Sequence, residues 1–97
     1  MAIKIEAASR LLANGYAEKF KALKVKFPHG KFPPKGDAVK LIKEISGFTD
    51  QYTDKPVTNN DWCNEDGERE KGGDFLFLSV DGEEVCIDYE NQSIDTV

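Results

Sequence analysis

The pair Asp81-Gly82, set between Phe75-Leu76-Phe77-Leu78-Ser79-Val80 and Glu83-Glu84-Val85-Cys86-Ile87-Asp88-Tyr89, constrains this chain more than any other stretch. Both flanks are rich in β-branched and aromatic residues. An Asp-Gly connection between such runs predicts a type I′ hairpin turn, whose positive φ angles glycine accepts freely and aspartate tolerates. The turn sets the register: Val80 opposite Glu83, Leu78 opposite Val85, Leu76 opposite Ile87, Asp74 opposite Tyr89. Because strand side chains alternate, Leu76, Leu78, Val80, Val85, Ile87 and Tyr89 share one face, which is predicted to be core. The other face has Phe75, Phe77 and Cys86 near the open end and Ser79 and Glu84 near the turn, so a cover is expected over the two phenylalanines.

Helical spacing supplies the rest of the core. Ala38, Leu41, Ile42 and Ile45 follow Asp37, a good N-cap, and precede Gly47, a good stop, which predicts a helix over 37–46 with Phe48 folding back on its last turn. Ile5, Ala8, Leu11 and Leu12 predict another over 3–13, ended by Asn14-Gly15. Between them two periods compete. Tyr16, Phe20 and Leu23 recur as in a helix, while Leu23, Val25 and Phe27 alternate with Lys24 and Lys26 as in a strand; the reading is a short helix over 16–21 passing into a strand over 22–27.

Three prolines and two glycines in 28–36 dictate a loop. A longer connection is expected over 49–73, with an edge strand over 51–58 demoted by Pro56 and a polar, mobile stretch over 59–73. With 97 residues, one domain is all the chain can bury a core for. The expected architecture is a small single α+β domain over 1–97, two to three helices packed on an antiparallel sheet centred on the C-terminal β-hairpin.

The net charge of −5 conceals a split. Residues 1–46 carry ten Lys/Arg against four Asp/Glu, and residues 47–97 carry three against fourteen. Such a division is either neutralised internally or presented as two faces. Two cysteines are too few for a stapled secreted scaffold, and no stretch reads as a signal peptide or a membrane span, so the expected location is cytoplasmic.

Chemistry-bearing motifs are sparse. The acidic segment 61–70 invites calcium, but with Gly67 at the central turn position the first ligand slot falls on Trp62 and the last on Gly73, neither of which supplies a carboxylate. Cys63, Cys86 and the single His29 lack the close pairing of zinc or iron–sulfur sites. No serine has a nucleophile-elbow context, and no phosphate-cradling or dinucleotide fingerprint occurs. No metal or cofactor is expected.

Two binding readings remain, with a small carboxylate enzyme ranking below them. The first is a non-enzymatic protein that binds a basic protein partner through the acidic C-terminal half, with Asp61, Trp62, Glu65, Asp66, Glu68 and Glu70 as contacts; Trp62 is either an anchor for the partner or a plug over Phe75 and Phe77. In size and charge such a chain is similar in kind to small phage-encoded inhibitors of host defence and to nucleic-acid mimics. The second is nucleic-acid binding through Lys21, Lys24, Lys26, Lys31 and Lys35, interleaved with Phe20, Phe27 and Phe32.

Overall fold

In the computed structural model, which describes residues 15–96, the chain runs from two helices into a four-stranded antiparallel sheet. The helix expected over 3–13 lies outside the described residues. Helix α1 spans Tyr16–Lys26 without interruption and helix α2 spans Lys35–Lys43. Strands β1 (Thr49–Asp50), β2 (Phe75–Val80), β3 (Glu83–Asp88) and β4 (Ser93–Thr96) lie in the order β1-β2-β3-β4.

The hairpin has the expected register, with Val80, Leu78 and Leu76 facing Glu83, Val85 and Ile87. Asp81 and Gly82 take φ of 49° and 83°, the left-handed pair that a type I′ turn needs. Leu76, Leu78, Val80, Val85 and Ile87 are buried together with Leu23 and Phe27 of the first helical segment and with Ala38, Val39 and Ile42 of α2, so the helices cover this face of the sheet.

Four expectations are corrected. The strand over 22–27 is absent: α1 continues to Lys26 because Leu23 and Phe27, four residues apart, both reach the core, whereas Val25, which a strand would have turned inward with them, is 73% exposed. Helix α2 begins two residues before Asp37, behind Pro34. The Lys35 ammonium bonds the Gly73 carbonyl and, at 2.9 Å, the Asp74 carboxylate, which fixes the first turn there. Asp37 becomes a first-turn acid rather than a cap, a position the helix dipole favours. The edge strand lies at Thr49–Asp50 instead of 51–58, because the Asp50 carboxylate accepts from the amides of Tyr52 and Thr53 and turns the chain away.

The fourth concerns 59–73, which is built rather than loose. Thr58 and Asp61 form a reciprocal capping box around a short 3-10 helix, Asn59–Asp61. The next residues pair with the sheet: the Cys63 amide donates to the Phe75 carbonyl at 2.8 Å, and the Phe75 amide returns a bond to Cys63 at 3.1 Å. Gly73 makes this approach possible, since a Cβ there would collide with the Cys63 backbone. A fourth strand, β4, was not foreseen; Asp88, by accepting from the Asn91 amide and side chain, sets the turn that brings Ile94 opposite Ile87.

Candidate functional site

Pairing with Phe75 directs the Cys63 side chain to the sheet face away from the helices, and its neighbour Trp62 therefore turns to the core side. There Trp62 is 6% exposed, edge-on to Tyr89 at 5.9 Å, with the Lys35 ammonium 4.6 Å over its ring. Tyr89 donates to the Pro33 carbonyl at 2.6 Å and meets Phe32, which meets Phe27. Trp62 is thus a plug, but it closes the open end of the helix-covered core and not the flank carrying Phe75 and Phe77.

Those two rings sit on the other face, which no described helix covers. The register lays that face out in rows: Phe75, Asp88 and Ser93; Phe77, Cys86 and Asp95; Thr49, Ser79 and Glu84. Phe75 and Phe77 are stacked at 6.3 Å, and Tyr52, 54% exposed, leans its edge on Phe77 at 5.9 Å. The result is a short aromatic ridge along β2, only partly buried, with carboxylates on the neighbouring strands. From Gly72 to the end of the chain there is no Lys, Arg or His, against seven Asp and Glu.

The acidic segment joins this face at its rim. Gly67 lies against the Tyr52 hydroxyl, and a groove of about 380 Å³ beside Phe75 is walled by Glu65, Glu70, Asp74 and Glu90. Of the six contacts expected from sequence, Glu65, Asp66, Glu68 and Glu70 face solvent, whereas Asp61 and Trp62 are interior. Asp61 is committed to the Thr58 cap and to Arg69, whose guanidinium reaches it at 3.0 Å and the fully buried Asp50 at 3.6 Å. The rings that reach the surface beside the acidic segment are Tyr52, Phe75 and Phe77 instead. Their signal was present in sequence as the half-apolar outer side of the hairpin; what pairing alone could not show was that no described helix covers it and that Tyr52 packs on it only in part.

Both thiols are held neutral. Burial, then the charges of Asp88 and Asp95, push Cys86 up to about 11; burial, then Asp50, raise Cys63 against the downward pull of Arg69. Neither is an activated nucleophile at neutral pH. Among the described residues no group of three or more His, Cys, Asp or Glu is placed to hold a metal ion, and no helix is long and apolar enough to cross a membrane.

The lysine stretch is dispersed over the helix side. Lys26 pairs with Glu44 at 3.3 Å and Lys35 with Asp74, while Lys21, Lys24 and Lys31 face solvent. Its aromatics are not free to stack on bases: Phe27 is core, and Phe20 and Phe32 pack against it. No family model, no curated protein and no solved structure matches this chain.

Proposed function

We propose that this protein is a non-enzymatic binding module that takes a basic protein partner on the sheet face opposite its helices. One observation carries the reading: the ridge of Tyr52, Phe75 and Phe77 is uncovered by any described helix and bordered by carboxylates of β3, β4 and the acidic segment. Aromatic rings supply desolvated contact area, and a border of one sign selects a partner of the opposite sign and speeds its encounter. Arginine suits such a face twice over, since it stacks on rings and bonds carboxylates. Of the carboxylates beside Phe75, Glu65, Glu70 and Glu90 are exposed and Asp74 is half-buried and paired with Lys35, and the groove is open, which favours binding over carboxylate catalysis.

The test is an amide chemical-shift titration with a synthetic peptide of alternating Arg and Leu. Shifts confined to β2, β3, β4 and the turn in which the Asn64 amide donates to the Glu68 carbonyl are expected, with roughly tenfold weaker binding in the Glu84→Lys, Asp95→Lys double variant. Shifts confined to α1 and α2, or none, would overturn the proposal; the same titration with a single-stranded oligonucleotide examines the helix-side alternative.

A further inference from the structure

A larger open cavity, about 640 Å³, lies at the surface where the 59–73 segment meets the start of α2. Its walls bring together Lys35 and Gly36 from the start of α2, Asn59 and Asn60 from the 3-10 helix, Trp62, and the run from Arg69 to Gly72. The volume is in the range that holds a small ligand. Gly36 leaves its wall open: a Cβ built there meets nothing within 4 Å.

The polar groups left over in this cavity include many donors, with the Asn60 carboxamide oxygen and the Glu70 carboxylate as the acceptors. Arg69 spends one terminal nitrogen on Asp61 and Asp50. Its other guanidinium N–H groups have no acceptor among the described residues, so the two carboxylates hold the fork in place without using it up. Lys71 has no ion-pair partner there, and Asn60 uses only its backbone amide, which donates to the Thr58 hydroxyl. Asn59 accepts a long bond from the Trp62 indole through its oxygen, which leaves its amide N–H groups unspent. Glu70 is the carboxylate in the wall, next in sequence to Lys71. A planar fork, an ammonium and two carboxamides lining one space suit a tetrahedral oxyanion, which offers several acceptor atoms at once.

We propose that this cavity binds the phosphoryl group of a small phosphorylated molecule, with Arg69, Lys71, Asn59 and Asn60 as donors. The site borders the acidic groove of the docking face and shares Glu70 and Gly72 with it, but none of its four donors lines that groove, and a phosphate titration tests it without the basic partner.

Trp62 is the chain's only tryptophan and lines the cavity, so its indole N–H resonance is a single, local reporter. The experiment titrates the intact protein with inorganic phosphate and with phenyl phosphate, using phenol and sodium chloride of matched ionic strength as controls. A saturable shift of the indole resonance is expected with both phosphates and not with the controls. Lys71→Glu should weaken binding by about tenfold, and Glu70→Gln, which removes the opposing charge, should strengthen it severalfold. Both positions are exposed, so neither variant puts the fold at risk. A shift reproduced by chloride, no saturable shift, or equal affinities in wild type and both variants would overturn the proposal.

Discussion

Arg69 is the residue on which the 59–73 segment depends. The fold has taken two carboxylates out of water, Asp50 fully and Asp61 nearly so, and Arg69 is the cation that faces both. Removing a partner from such a set leaves buried charge uncompensated, whereas removing charge from both sides does not. Arg69→Met is therefore expected to cost about 2–4 kcal/mol in urea unfolding, below the top of the usual range because the guanidinium is itself half exposed. Adding Asp61→Asn, which keeps an acceptor for the Thr58 amide, should recover part of the loss; full additivity of the two changes would show that the residues are not coupled. Cys86 supplies a second residue-scale expectation. Its thiol titrates near 11 in the fold and near the ordinary value of ~8.5 in the unfolded chain, so the folded state binds the proton more tightly. A group raised in this way contributes stability that is complete below about pH 8.5 and fades as the pH climbs through 11. The urea midpoint should thus fall between pH 8.5 and 11, with a smaller fall in Cys86→Ala, and the Cys86 peptide should resist iodoacetamide at pH 8. Fast alkylation at that pH would contradict the shift.

Elements differ in how plainly the sequence announces them, and the difference is physical. The β2–β3 hairpin was legible to the residue because one local event, the Asp81-Gly82 turn, sets every pairing that follows. If that is right, Gly82→Val should destabilise the protein by roughly 1 kcal/mol or more, since a β-branched residue resists the φ of 83° at that position; an unchanged melting curve would count against the turn as the source of register. Elsewhere the deciding interactions join distant residues. The competing periods over 16–27 were settled by which residues meet the sheet, and Val25 lost. The start of α2 was settled by Lys35 reaching Asp74, and the order of 59–73 by Arg69 and by Cys63 pairing with Phe75. The candidate face follows the same division. Its rows on β2 and β3 were readable as alternation, its extension through Asp95 depended on an unforeseen strand, and its separation from Trp62 followed from a pairing that no local pattern encodes.

At the scale of the molecule, the charge division along the chain has become a division between layers. Helices α1 and α2 hold seven lysines against Glu18 and Asp37, while residues 74–96 hold seven carboxylates and no cation. Two ion pairs, Lys19 with Asp81 at 2.8 Å and Lys35 with Asp74 at 2.9 Å, join these two sets, too few to neutralise either layer. A helix layer and a sheet layer are separated by about 10 Å, close to the screening length at 0.1 M salt; below that ionic strength their far fields overlap, but a charged support in contact with one face meets the nearer layer most strongly, and above it each field fades within a short distance. A protein of net charge −5 with evenly mixed charges would pass through a cation exchanger at pH 7. This one should be retained on both a cation and an anion exchanger at roughly 0.01–0.02 M salt, and should leave the cation exchanger by about 0.1–0.2 M as screening shortens the reach of the helix layer. Lys21→Glu, Lys24→Glu and Lys40→Glu together should abolish retention on the cation exchanger and prolong it on the other, because these side chains are exposed on the helices. Reversing Glu84 and Asp95 should shorten anion-exchange retention and lengthen the other. Passage of the wild-type chain through the cation exchanger at every salt concentration would mean that the layers neutralise one another, and the acidic face would then lose the isolation from the lysines that the proposed binding of a basic partner requires.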